Sequence, residues 1–135
     1  MKYVIAYVAT ALVFLPIDLL WLGVLARDFY NNQLGDMKEI NAQAAVIFYL
    51  VYVLGIVIFA VLPAIDKQSL MHALLVGGMF GFFCYATYDL TNLATMRGFP
   101  PGMVIPDILW GIVLTGSSAG GGYLLYQGVR RIFGG

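Results

Sequence analysis

Long apolar stretches dominate the chain, and short clusters of charged residues and helix breakers separate them. Four such stretches can be drawn, at about residues 3–26, 44–64, 70–95 and 104–126. An α-helix needs about 20 apolar residues to cross the hydrocarbon core of a bilayer, and each stretch approximates or exceeds that length. The pattern therefore predicts an all-α, polytopic membrane protein built as an up-down bundle of four transmembrane helices.

The connections between the stretches differ in length and chemistry. Residues 27–43 form the only long connection, with room for a short helix at the membrane interface, whereas residues 65–69 form a tight turn. Residues 96–101 contain the run Arg-Gly-Phe-Pro-Pro, which breaks a helix and stiffens the turn. With so little sequence outside the spans, residues 1–135 are expected to form a single transmembrane domain.

Composition narrows the class of protein. Hydrophobic residues make up 61% of the chain and charged residues 10%, with a mean hydropathy of +0.89, while soluble domains average about 25% charged residues. The net charge is zero and no run of Lys or Arg occurs, which argues against nucleic-acid binding. The first stretch carries Asp18 and no convincing cleavage site, so we interpret it as a retained helix instead of a signal peptide.

Basic residues at the ends of the spans indicate the orientation. Four lie on the side of the termini and three on the other: Lys2, Lys67, Arg130 and Arg131 against Arg27, Lys38 and Arg97. Because an excess of Lys and Arg favours the cytoplasmic side, both termini are predicted to be cytoplasmic.

Three aspartates lie inside stretches that otherwise suit lipid. Asp18, Asp89 and Asp107 occur in the first, third and fourth spans, and a charged side chain at the centre of a bilayer costs at least about 2.5–3.5 kcal/mol. The first and third spans run toward the surface that the fourth span leaves. At about 1.5 Å of rise per residue, all three carboxyl groups fall within roughly 5–14 Å of that surface, so we expect them to share a pocket.

Helical spacing supplies companions for each aspartate, since residues three or four apart share a face. It groups Asp18 with Tyr7, Phe14 and Trp21, Asp89 with Tyr85 and Asn92, and Asp107 with Trp110, Gly111 and Ser118. The candidate ligand-binding or proton-carrying residues are Asp18, Trp21, Tyr85, Tyr88, Asp89, Asn92, Arg97, Asp107 and Trp110. Tyr49 and Tyr52 of the second span are further phenol donors. The alternative is that the aromatic residues form belts at the membrane interfaces.

The acidic layer admits several kinds of chemistry. Carboxyl groups in a low-dielectric site repel one another when ionised, so one of them is expected to hold a proton near neutral pH and to act as a proton carrier or general acid. Their oxygens also suit sodium or a hard metal cation, but single Cys84 and distant His72 argue against a zinc or copper site. Alternatively, Arg27 and Arg97 neutralise the layer through ion pairs. The sequence assigns no metal ligands and does not identify a cofactor.

Small residues form a second pattern. The third span contains Gly77-x-x-x-Gly81 and the fourth contains Gly116-x-x-x-Gly120. This spacing lets two helix backbones approach closely. It indicates either tight packing inside the bundle or the seam of a homodimer.

Two sets of motifs carry a family resemblance. They are Tyr88-Asp89-Leu-Thr-Asn92-Leu-Ala-Thr-Met-Arg97-Gly98, after Ala86-Thr87, and Asp18-Leu-Leu-Trp21-Leu-Gly23 with Phe29-Tyr30 and Gln33-Leu-Gly35. Together they resemble an uncharacterised bacterial family of small four-helix membrane proteins, a domain of unknown function, over nearly the whole chain. The resemblance implies the fold and a location in the bacterial inner membrane, and it brings no catalytic role.

Three functional hypotheses remain. In the first, the pocket binds or transports a cationic or amphiphilic molecule, with Trp21 and Trp110 adding cation–π contacts and protons exchanged in return. In the second, a membrane enzyme acts on a lipid with two aspartates as acid and base, although no activated nucleophile, phosphate loop or HExxH motif occurs. In the third, the chain is a structural subunit. The expected partners are membrane lipids, a small-molecule ligand and a second copy of the chain.

Overall fold

The structure, a computed structural model, describes residues 2–20 and 42–133. The helices, in chain order, are α1 (Lys2–Leu20), α2 (Ala42–Ile56), a π-helical turn (Val57–Val61), α3 (Leu62–Lys67), α4 (Leu70–Thr95), a 3-10 turn (Pro101–Met103) and α5 (Val104–Phe133). The predicted all-helical class is confirmed. Residues 27–41 of the long connection and the end of the predicted first span lie outside the described residues, and residues 42 and 43 already belong to α2.

Four helical stretches are long and apolar enough to cross a membrane. They are Lys2–Leu20, Val46–Lys67, Leu70–Thr95 and Pro101–Phe133. The four predicted spans are therefore confirmed, and the third has the predicted limits. The last helix continues from the predicted limit at residue 126 to Phe133, because the polar residues that leave the apolar layer are still good helix formers.

The second span passes through Pro63 without ending. Pro63 has no backbone N–H and cannot donate to the carbonyl of Phe59 one turn earlier. Just before it, the helix widens to a π turn in which the amide of Leu62 donates to the carbonyl of Val57. The helix then runs on to Lys67, beyond the predicted limit at residue 64.

A tight turn joins α3 to α4, as the sequence predicts. Gln68 adopts the left-handed conformation with φ of 51°, and its amide donates to the carbonyl groups of Ala64 and Ile65. Ser69 then caps α4, since its hydroxyl accepts a hydrogen bond of 3.0 Å from the amide of His72. Only Gln68 and Ser69 separate the two helices, and this turn makes α4 run antiparallel to α3.

The glycines of α4 form a seam against α5. A Cβ atom added at Gly77 would lie 2.6 Å from the Cβ of Ala119, and one added at Gly81 would overlap the carbonyl oxygen of Gly111 and lie 2.7 Å from the Cβ of Thr115. Of the two interpretations of this glycine spacing, packing inside the bundle is the one observed. The homodimer stays a prediction.

The bundle exposes apolar side chains and buries its few polar side chains in a mainly apolar core. Leu12, Val51 and Phe83 are each more than 60% exposed, as expected of side chains that face lipid. The buried polar side chains among the described residues are Thr10, Asp18, Asp89, Asp107, Thr115 and Ser118. All three aspartates are therefore in the interior of the bundle.

Gly81→Ala should destabilise the bundle. The added methyl group meets the backbone of Gly111, which cannot move aside without separating α4 from α5, and overpacking of this kind costs about 1–3 kcal/mol. Thermal unfolding in detergent, followed by circular dichroism, measures the loss. The matched control is Gly128→Ala in α5, where a Cβ atom has nothing within 4 Å. Equal melting temperatures for the two variants would contradict the seam.

Candidate functional site

Helices α4 and α5 bring two aspartates face to face. Tyr85 of α4 packs against Gly111 of α5, and one turn nearer the surface the same antiparallel register places Asp89 opposite Asp107. Asp89 is fully buried and Asp107 is 6% exposed. Their carboxyl groups lie within hydrogen-bonding range of each other.

A hydrogen bond between two carboxyl groups has a chemical requirement. An ionised carboxylate only accepts hydrogen bonds, and two like charges in a buried site repel strongly. In the described part of the chain, neither oxygen of Asp89 receives a hydrogen bond from an N–H or hydroxyl donor. A hydrogen bond between these two carboxyl groups therefore requires a proton on one of them.

Asp18 adds a third carboxyl group from α1. It is 6% exposed and accepts a hydrogen bond of 2.5 Å from the hydroxyl of Tyr49. The indole of Trp110, one turn along α5 from Asp107, lies against the same carboxyl group, and Asp18 also interacts electrostatically with Asp107. The structure thus gathers the three aspartates around α5.

Aromatic rings form the wall of the site beside Asp18. The ring of Phe14 lies 5.7 Å from that of Tyr49 and 5.6 Å from that of Tyr52, and Tyr52 in turn lies 6.2 Å from Tyr85. The carboxyl groups therefore adjoin a cluster of aromatic rings that come from α1, α2 and α4.

The remaining predicted residues lie at the edge of the site or beyond it. Tyr88 is 56% exposed. Its hydroxyl group forms a hydrogen bond with the side chain of Asn92, and it interacts electrostatically with the aspartate pair. Arg97 is exposed in the turn after α4 and makes no ion pair with a described acidic side chain. Trp21, like Arg27, lies outside the described residues.

Tyr49 contributes to the site although it is not among the candidate site residues predicted from the sequence. The sequence offers Tyr49 and Tyr52 only as further phenol donors. Because α2 is apolar around its whole circumference, its sequence does not show which face points inward. The tertiary structure turns Tyr49 toward Asp18. Tyr52 instead bonds to Thr115, deeper in the bundle.

The site has no arrangement typical of a metal centre. Across residues 2–20 and 42–133, no group of three or more His, Cys, Asp or Glu side chains is placed to hold a metal ion. Cys84 is half-buried and packs against the core. The side chains that meet at the site are carboxyl groups, a phenol and an indole.

Four membrane-crossing helices around buried acidic side chains define a small polytopic integral membrane protein. The chain matches the model of the family described as "Predicted membrane protein (DUF2177)" over residues 3–124, and it belongs to that family. The resemblance inferred from the motifs is thereby confirmed. No curated protein and no solved structure matches the chain.

Tyr49→Phe should lower stability by about 1–2 kcal/mol, because the buried carboxyl group of Asp18 loses a hydrogen-bond donor. Thermal unfolding of the purified protein in detergent at neutral pH measures the change. Tyr3→Phe is the matched control, since the Tyr3 side chain is 68% exposed at the start of α1. If both substitutions cost the same, the bond from Tyr49 to Asp18 contributes nothing specific.

Proposed function

We propose that the protein binds a cationic or amphiphilic small molecule at Asp18, Asp89 and Asp107 in exchange for a proton, and that it works as a proton-coupled binding protein or transporter. The observation that supports this most directly is the contact between the buried carboxyl groups of Asp89 and Asp107. A pair that needs a proton to satisfy its hydrogen bond accepts a cation in place of that proton.

The exchange suits a site inside a membrane. Two unit charges 4 Å apart interact by about 4 kcal/mol at an effective dielectric of 20, so an ionised pair without a counter-charge is unfavourable. When one cation enters as one proton leaves, the net charge of the site does not change. The cost of burying charge is then nearly the same before and after binding.

The surroundings favour an organic cation over a bare ion. Ring faces near the carboxyl groups, on Trp110 and Tyr49, can contact a cation at about 0.5–2 kcal/mol each. Tyr88 is next to Asp89 in the chain and is half exposed on the outer face of α4, so the lipid-facing surface begins one residue from the pair. An amphiphilic molecule could reach it from the bilayer.

The same carboxyl contact favours a second candidate, an enzyme acting on lipid. Two carboxyl groups that share a proton can serve as acid and base in one reaction. Conversion of phospholipid by the purified protein, followed by mass spectrometry and lost in Asp89→Asn, would support this reading in place of reversible binding.

Binding of tetraphenylphosphonium, a lipophilic organic cation, tests the first proposal. We expect wild-type protein in detergent to bind it in isothermal titration, and Asp89→Asn to weaken binding at least tenfold, a change of about 1.4 kcal/mol. If one proton leaves per cation bound, affinity should rise with pH by up to about tenfold per unit. The matched control is Asp66→Asn, the same substitution at an exposed residue that pairs with Lys2.

The outcomes separate the hypotheses. Binding that is unchanged in Asp89→Asn, or independent of pH, would show that the proposal is wrong. Loss of thermal stability in Asp89→Asn without any binding by the wild-type protein would favour the structural subunit. Equal loss of affinity in Asp89→Asn and Asp66→Asn would indicate a general charge effect instead of a site.

A further inference from the structure

A line of buried polar groups continues from the acidic site along one face of α5. The buried residues of this face recur every three or four positions: Asp107, Gly111, Thr115, Ser118, Gly122 and Tyr126. The line runs the length of the helix toward the surface that carries the termini.

The hydroxyl groups on this line are buried deep in an apolar interior. Thr115 is fully buried and shares a hydrogen bond of 2.7 Å with the hydroxyl of Tyr52. Ser118 is also fully buried, as is Thr10 of α1, and neither hydroxyl has a hydrogen-bond partner among the residues described. A Cβ atom at Gly122 would overlap the hydroxyl of Thr10, which places Thr10 on the same line.

Each interval between these groups is within reach of a bridge of one or two waters. Along the axis of α5 toward the surface that carries the termini, Ser118 lies about 4.5 Å beyond Thr115. Gly122, which contacts Thr10, lies about 6 Å beyond Ser118, and Tyr126 lies about 6 Å further. Two hydrogen bonds through one water span about 5.6 Å. Buried hydroxyls that lack a protein partner are ordinarily satisfied by such water.

Both ends of the line meet further polar side chains. At the end near the acidic site, the hydroxyl of Tyr49 donates a hydrogen bond to Asp18. Tyr52, three residues further along α2, shares a hydrogen bond with Thr115. At the lower end, Tyr126 interacts electrostatically with Lys2, which pairs with Asp66 at the surface.

A surface depression lies beside the lower end. It has a volume of about 910 Å³, and its lining includes Gln68, Tyr123, Gln127, Arg130 and Arg131. Water can fill such an open polar hollow.

We infer that Tyr52, Thr115, Ser118, Thr10 and Tyr126 form a hydrated column through which the acidic site exchanges protons with the surface that carries the termini. At each step a hydroxyl group accepts a proton from the water on one side and releases its own proton to the water on the other side, and rotation of the hydroxyl group and the waters then restores the starting arrangement. The inference rests on the proposed function for the exchange that the column serves. It adds a route for protons that is separate from the entry of the ligand.

Proton flux into proteoliposomes tests the column. The vesicles enclose the pH-sensitive dye pyranine, and a potassium diffusion potential set by valinomycin drives protons inward. We expect Ser118→Ala to slow acidification at least fivefold relative to wild type. Ser117→Ala is the matched control, because Ser117 is the neighbouring residue and is exposed toward lipid.

A second pair of variants distinguishes the loss of a hydroxyl group from a defect in folding. Thr10→Val keeps the shape of the side chain but removes its hydroxyl, so it should slow the flux at least fivefold, and Thr10→Ser should restore it. The inference is overturned if both buried variants conduct as well as Ser117→Ala. It is also overturned if wild-type vesicles acidify no faster than protein-free vesicles.

Equilibrium binding separates this inference from the proposed function. Tetraphenylphosphonium titration reports on the acidic site, whereas the flux reports on the column. Flux that depends on Ser118 in a protein that does not bind the cation would support the column and count against the proposed ligand. Binding that depends on Asp89 together with flux indifferent to Ser118 and Thr10 would do the reverse.

Discussion

Hydrocarbon offers no partner to a polar group, and the rest of the structure follows from this constraint. Each spanning helix must satisfy its own backbone and turn its polar side chains inward. Asp18, Asp89 and Asp107 come from three different helices and are all buried in the bundle. Because lipid is as apolar as the side chains that face it, close packing must hold the helices together in place of the hydrophobic effect.

The glycine seam meets that requirement and also builds the site. Gly77 and Gly81 let the backbone of α4 touch that of α5, and the same close approach carries Asp89 to Asp107 one helical turn beyond Tyr85. The buried face of α5 serves both purposes along its length, with small residues for packing and polar residues facing the interior. Stability and chemistry are therefore properties of one interface.

Much of this was predictable because helical geometry is regular. Rise per residue alone predicted that the three aspartates lie at a similar level of the bundle, and apolar length alone located four spans. Tyr88 shows where such reasoning stops, since adjacent residues on a helix point about 100° apart. With Asp89 turned inward, Tyr88 is left half exposed. Tyr49 shows the opposite case, because the uniformly apolar α2 gave no sign of the face that meets Asp18.

The amino-acid pattern was enough to predict the membrane class, the four spans, the tight turn before α4 and the family. It did not reveal that the glycines pack within the bundle, that Asp89 contacts Asp107, or that Tyr49 donates to Asp18, which emerged only from the fold. The physical reason is that periodicity defines the height and face of a residue on its own helix. The rotation of each helix against its neighbours depends on packing between residues far apart in the chain.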